Sequence, residues 1–407
     1  MARVQDEATH GDAMCCFSEA YAEARAKFLE AAIAAAAELH RLDIAEDECG
    51  KYTTDIAILR GSGPGLIVVS SGTHGVEGYA GSAIQVHLLG RLKGAAVAPT
   101  VVFVHAVNPY GMAHFRRCNE NNVDVNRNAL HPEQFQKLIE NDRLRKTYMS
   151  FTGLFNPTRA PGCFYAGVGI WFHMVANIVR HGFGKLKTAL VAATYTEQQG
   201  VFYGGQELQA SLVLLQEFMT RQFSNVAASN VAWVDVHSGL GPCGVDVLLG
   251  GLEDEAEMHK LFPKVPGKCD GFQGGFGRST DEVIASRCGE APKNEVCVSG
   301  KVAQSTGYHY SVGILAREEW LKQFFKPDSG RALAFAQEFG TLKGISVARA
   351  LCLENAGFHH DRKNHQYWRS FTRDAFYVRT PAWKKSVLER GEDVFRKIVA
   401  RTEAIAC

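Results

Sequence analysis

Apolar positions along this chain fall into two kinds of run. Short, nearly unbroken ones ("TDIAILRG", "GLIVVSSG", "TVVFVHAVNPYG", "VAWVDVHSGLGPCG", "VDVLLGG" and "RALAFAQEFGT") are bounded by glycine, proline or asparagine and read as buried strands. Longer ones interleave charged and apolar residues at helical spacing. They are "FSEAYAEARAKFLEAAIAAAAELHRL" (residues 17–42), "YAGSAIQVHLLGRL", "PEQFQKLIENDRLRKTYM", "ELQASLVLLQEFMTRQF", "GISVARALCLENAGFHH" and "PAWKKSVLERGEDVFRKIVARTEAI". The first has neither glycine nor proline, which predicts one long helix over 17–42. "GSGPG" separates the first two strands and opens no helix, so it predicts a hairpin turn and not a phosphate loop. Residues 150–205 are less regular, with an apolar helix near Ile170 to Val179. Residues 250–303 read as loops and short elements near a candidate site, and "HHDRKNH" (His359 to His365) as a solvated turn in preference to a metal-binding cluster. Strands alternating with helices predict a layered α/β sheet covered on both faces.

Composition narrows the function classes. The chain has 407 residues, 46% of them apolar, enough for a large core. Lysine plus arginine (44) nearly balance aspartate plus glutamate (43), with no long basic block, so no nucleic-acid partner is expected. "GVGIWFHMVANIV" is too short to span a bilayer and carries His173 and Asn177. The polar N-terminus lacks the basic start and apolar core of a signal peptide. A cytoplasmic protein with no membrane partner is therefore expected. Eleven cysteines without a C-x-x-C pair point to reduced thiols.

Chemistry gathers at the strand ends. "SSGTHGVEG", "HAVNPYG", "DVHSGLG" and "EFGT" each follow an apolar run, and ligands of open α/β sheets bind at the carboxyl edge. His74, Glu77 and His237 together supply two imidazoles and a carboxylate, the ligand set of a catalytic zinc with one position open. H-x-x-E alone also occurs by chance: His74 alone reads as a turn histidine and His237 alone as a satisfied core histidine. Asp235 shares a strand face with His237 and is either its supporting acid or merely satisfied. His105, His114 and Tyr203 are candidates to line a pocket. Glu354 is a competing acid whose helical context suggests a structural role.

From Asn108 to Leu130 the chain reads "NPYGMAHFRRCNENNVDVNRNAL". Asparagine-rich turns account for the asparagines but not for the paired arginines. With "SGTHGVEG", "NPYG", "RCNENNVDVNRN", "DVHSGLG" and "EFGT" in this order, the chain resembles the zinc carboxypeptidase superfamily of the M14 type, nearest the branch labelled DUF2817. The resemblance runs from about residue 17 to 360. It implies a mixed, mostly parallel twisted sheet with helices on both faces, in a single domain over 1–407. It implies one zinc ion held by His74, Glu77 and His237, with Asp124 behind the first histidine. It implies Asn126 and Arg127 on a substrate carboxylate, Arg117 (or neighbouring Arg116) on the developing oxyanion, and Glu338 as general base. Ser238 and a mobile tyrosine, Tyr310 or else Tyr308, complete the substrate contacts. The implied activity is zinc-dependent cleavage of a peptide or amide bond beside a free carboxylate, in a small molecule or short peptide. The alternatives are an N-acyl amino acid deacylase of the same fold, or a protein that binds metal or ligand without catalysis. A serine hydrolase is disfavoured, since the chain has no G-x-S-x-G elbow.

Overall fold

The computed structural model describes residues 14–273, 279–289 and 310–405. Among them, eight strands form one sheet in the order β1-β2-β4-β3-β5-β8-β6-β7. The strands are β1 (Glu38–Asp47), β2 (Gly50–Leu59), β3 (Leu66–Ser71), β4 (Thr100–His105), β5 (Val231–Gly239), β6 (Asp246–Gly250), β7 (Cys269–Gln273) and β8 (Leu333–Gly340). β4, β3, β5 and β8 are mutually parallel, and antiparallel pairs flank them at β2–β4 and β6–β8.

The central strands are buried on both faces, which is why they read as unbroken apolar runs. Alternate residues feed two cores: Ile67, Val69, Val101 and Phe103 one, Leu66, Val68, Val102 and Val104 the other. Against the first pack α1 (Tyr21–Ala34), α2 (Gly78–Leu92), α6 (Gly344–His360) and α8 (Pro381–Ile405), through residues such as Phe28, Ile84, Leu351 and Val394. The second is covered by α5 (Ala210–Phe223), through Leu212, Leu215 and Met219. Further helices are α3 (Ile170–His181), α4 (Phe183–Val191) and α7 (His365–Phe376).

Several expectations needed correction. The helix expected over 17–42 ends at Ala34, and Glu38–Asp47 is the edge strand β1. Ala36 takes a left-handed conformation (φ 57°), with Ala37 N–H bonded to the Ala32 carbonyl and Ala36 N–H to that of Ile33. That is a Schellman stop made without glycine, so composition hid it. "GSGPG" is not a hairpin turn, because β4 lies between β2 and β3. β4 is apolar on both faces and takes a neighbour on each side. "HHDRKNH" is not simply a solvated turn: His359 and His360 end α6, and His365 begins α7 and is only partly exposed. The described short elements within 250–303 are the helices Glu255–Leu261 and Thr280–Cys288 and the edge strand Cys269–Gln273, which is no departure from the expected loops and short elements. "PEQFQKLIENDRLRKTYM" is broken into Pro132–Asn141 and Leu144–Met149.

Candidate metal centre and its cavity

The site lies where β3, β5 and β8 end side by side. β3 stops at Ser71, and a glycine-bracketed turn carries His74 into the short helix Gly75–Glu77 that leads into α2. Gly75 is needed because the "NPYG" backbone passes against it: a Cβ there would overlap the carbonyl carbon of Gly111. The turn is pinned to the arginine loop by Val76 N–H on the Arg116 carbonyl (2.8 Å) and Gly75 N–H on that of Arg117 (3.3 Å). Asn108 caps its own short helix by accepting from Gly111 N–H (2.8 Å) and donates to the Arg117 carbonyl (3.2 Å). The "NPYG" and "RR" motifs therefore fix one another.

His74, Glu77 and His237 are buried and converge, with donor atoms all within 4.8 Å of one another. His237 Nδ1 lies 3.1 Å from His74 Nδ1 and 3.0 Å from Glu77 Oε2, and His74 Nδ1 is 2.9 Å from Glu77 Oε1. Each imidazole has an acid behind it: His237 Nε2 is 2.6 Å from Asp235 Oδ2, and His74 Nε2 is 3.2 Å from Asp124 Oδ1, though the latter contact is not aligned as a hydrogen bond. Asp235 is fixed in turn by the Ser70 and Thr73 hydroxyls (2.7 and 2.9 Å). With a proton on each outer nitrogen facing its acid, both Nδ1 lone pairs point at each other and at a carboxylate. A shared cation relieves that arrangement, so the donor set fits a zinc ion.

Electrostatics agree. Burial opposes charge on Glu77 and Asp124, yet His74 and His237 hold the first well below the usual carboxylate range, and Arg117 and His74 the second. Burial likewise opposes charge on His237, but Asp235 and Glu77 push its affinity for a proton well up. The cluster draws positive charge onto itself. Glu338 sits beside His237 in register on β8 and is partly exposed to the cavity. Burial and the Glu77 charge push its carboxyl up to about 6, and Leu240 N–H donates to Oε1 (3.0 Å).

A cavity of about 580 Å³ opens over these groups. Arg117 lies over the Phe202 ring (4.2 Å) and donates to Asp124 (2.8 Å) and Glu77 (3.3 Å). Arg127 donates to the carbonyls of Val191 (3.1 Å) and Asn126 (2.7 Å), and Asn126 Oδ1 accepts from Leu315 N–H (2.9 Å). All three side chains line the cavity. Ser238 lines it too, but its hydroxyl is given to the Phe376 carbonyl (2.9 Å) and its N–H to Glu77 (3.0 Å).

Other candidates fall elsewhere. Tyr310 is not among the cavity residues, and its carbonyl accepts from Arg287 (3.1 Å); Tyr308 lies outside the described residues. His105 is in the core, stacked on Phe28, and His114 pairs with Asp47, so neither lines the cavity. Tyr203 is represented by its backbone, which accepts from Asp124 N–H (2.7 Å), while Phe202 takes the wall. Arg116 turns away to Glu354. What the residue pattern did not single out is the apolar wall: Met174 of α3, and Phe183, Leu186 and Leu190 of α4. Its signal was present as the apolar run after Gly169, but burial on one side by a cavity looks in sequence like burial in a core.

A family model described as "Protein of unknown function (DUF2817)" matches residues 17–324 and 304–390. No protein with a curated description matches the chain. Similar solved structures include a metallo-carboxypeptidase from Pseudomonas aeruginosa in complex with (2-guanidinoethylmercapto)succinic acid, at 12% identity and TM-score 0.37, covering 90% of this chain and 68% of that one. Bovine thrombin-activatable fibrinolysis inhibitor in complex with tick carboxypeptidase inhibitor matches at 9% identity and TM-score 0.42, with 92% and 98% covered. A succinylglutamate desuccinylase from Silicibacter sp. TM1040 matches at 13% identity and TM-score 0.33, with 79% and 66% covered.

Proposed function

The chain belongs to the DUF2817 family, and we propose that it is a zinc-dependent hydrolase of a peptide or amide bond beside a free carboxylate. The observation that carries this is the convergence of two imidazole Nδ1 atoms and a carboxylate beneath a cavity that also holds Glu338 and two arginines. A zinc ion held by His74, Glu77 and His237 would supply Lewis acidity, polarising a carbonyl and acidifying water. Asp235 and Asp124 keep the outer imidazole nitrogens protonated and the inner ones available. Glu338 takes a proton from the attacking water at a carboxylate oxygen and returns it to the leaving nitrogen. Arg117, held rigid by two acids, is aimed at charge developing on the carbonyl oxygen. Arg127 is oriented by two backbone carbonyls, and with the NH₂ end of Asn126 it takes the substrate carboxylate.

Within this reaction class, an N-acyl amino acid is favoured over a peptide by one observation: the cavity wall is largely apolar and holds few groups to satisfy a peptide backbone. A screen of the metal-loaded protein against N-acyl amino acids and dipeptides, with chelated protein as control, tests the proposal. Turnover that chelation abolishes, and that amidation of the substrate carboxylate depresses, is expected. No turnover of any substrate by zinc-loaded, folded protein would leave the reading of a non-catalytic binding protein.

A further inference from the structure

Between Arg143 and Thr196 the chain has no aspartate or glutamate, while Arg159, Arg180, Lys185 and Lys187 lie in the part that walls the cavity. α3 is apolar on two faces. Met174 faces in and lines the cavity, whereas Phe172 (71% exposed), Val175 and Val179 (82%) face out at helical spacing. Phe183, at the start of α4, belongs to both sides: it is 57% exposed and also lines the cavity. The outward stripe is thus continuous with the apolar interior. At the other end of α4, the Val191 carbonyl holds Arg127. From Phe183 to Val191 a helix rises about 12 Å, so an apolar wall of that length leads from the surface to the arginine.

An exposed apolar stripe of this kind marks an interaction site. A helix with large apolar side chains, basic neighbours and no acids suits the boundary of an anionic membrane, where it lies flat. No described helix is long and apolar enough to cross a membrane. The expectation of no membrane partner came from the lack of a spanning run and of a signal-peptide pattern, and lying flat on a surface requires neither. Self-association through the same face would bring Arg180 and Lys185 of two copies together, which disfavours it.

We propose that the face of Phe172, Val175, Val179 and Phe183 docks on an anionic lipid surface, and that the cavity behind it takes a carboxylated amphiphile from that surface. The carboxylate would sit on Arg127 and the apolar chain along α4. The second half rests on the hydrolase reading above; the docking does not.

Flotation of the zinc-loaded, full-length protein with vesicles tests this, comparing phosphatidylcholine alone with phosphatidylcholine mixed with phosphatidylglycerol. The parent is expected to float with the anionic vesicles, less so at high salt. Phe172→Glu/Val179→Glu should lower the bound fraction by roughly tenfold or more. Arg180→Glu/Lys185→Glu should lower it by about fivefold for each basic residue lost. His237→Ala removes a candidate metal ligand but leaves the face, so it should float as the parent does. Circular dichroism of each variant, the buried His237→Ala included, establishes that folding is unchanged. If the parent stays with the bulk solution, or if the folded Phe172→Glu/Val179→Glu variant floats as well as the parent, the docking is wrong. A non-floating parent that is dimeric, with the same variant monomeric, would make the face a self-interface and also overturn it. In an activity arm, a long-chain N-acyl amino acid presented in vesicles should be hydrolysed at least about tenfold more slowly by Phe172→Glu/Val179→Glu, with a short-chain soluble one unaffected. Equal rates on the vesicle substrate would overturn delivery from the surface. Flotation of the parent without turnover of any substrate would overturn the hydrolase reading, and substrate delivery with it, and leave docking standing.

Discussion

Two buried clusters in this molecule use the same residue types and do different work. Arg116 and Arg117 are neighbours in sequence, yet they point into different clusters. Arg117 joins His74, Glu77 and His237 under the cavity. Arg116 donates to Glu354 Oε1 (2.8 Å), which His365 Nε2 also meets (2.9 Å), and its guanidinium lies 3.3 Å over the Phe358 ring. In the second cluster one carboxylate sits between two basic groups, away from the cavity. Burial would raise Glu354, but Arg116 and His365 hold it below the usual range. In the first, imidazole nitrogens face one another and a carboxylate, with more acids behind them. The lesson is that His, Glu and Arg in company do not identify a site. What does is whether their donor atoms converge on accessible space and leave a cation wanting.

The sharpest way to break this contrast is to change one acid in each place. Glu338→Gln should retain fold and metal while kcat falls roughly 10²–10⁴-fold, or about 3–5 kcal/mol of barrier. Glu354→Gln should do the reverse: stability in urea falls by about 3 kcal/mol, because Arg116 is left buried without its counter-charge, while the folded fraction keeps its kcat. If Glu354→Gln were folded, zinc-loaded and dead while Glu338→Gln stayed active, the two clusters would have to exchange roles. Arg127→Lys sharpens the carboxylate end. It should cost about 1.5–3 kcal/mol in kcat/KM for a free-acid substrate and little for its amide, since lysine is not a fork. An equal loss on both substrates would contradict the assignment.

A histidine outside both clusters gives the smallest contrast, because burial and not a carboxylate decides its charge. His105 is buried against Phe28, and its Nε2 meets the Ser82 hydroxyl (2.9 Å). Burial pushes its imidazole down to about 3, against about 6.5 in an unfolded chain. Between those values the unfolded chain binds the extra proton. Its contribution is therefore complete above about pH 6.5 and is lost as the pH falls toward about 3, by at most about 1.4 kcal/mol per pH unit. Urea denaturation of the parent and of His105→Gln across that range should show a flatter slope in the variant; parallel slopes would mean that His105 protonates freely in the folded state.

Much of the sheet was legible, because strands buried on both faces write unbroken apolar runs; β3, β4, β5, β6 and β8 are such strands. The edge strand β1 was not, since "ELHRLDIAED" buries only alternate residues in part and follows an alanine-rich helix whose stop lacks glycine. Pairing order was hidden too: nothing local in "GSGPG" says that β4 will insert between its flanking strands. At the site, His74, Glu77 and His237 were legible as strand-end residues. The choice between Arg116 and Arg117 was not, because it depends on α6 and α7 bringing Glu354 and His365 to one of them. Asp235 was legible only as an i, i+2 neighbour, and its contact with His237 needed the folded strand.

The central claim is that His74, Glu77 and His237 hold a metal ion on which the site depends. Elemental analysis of the purified parent, His74→Ala and His237→Ala, each checked for folding by circular dichroism, tests it most directly. About one zinc per chain in the parent and loss of it in both folded variants is the predicted result. Full occupancy in both variants, or a parent that takes up no zinc when it is supplied, would contradict the account.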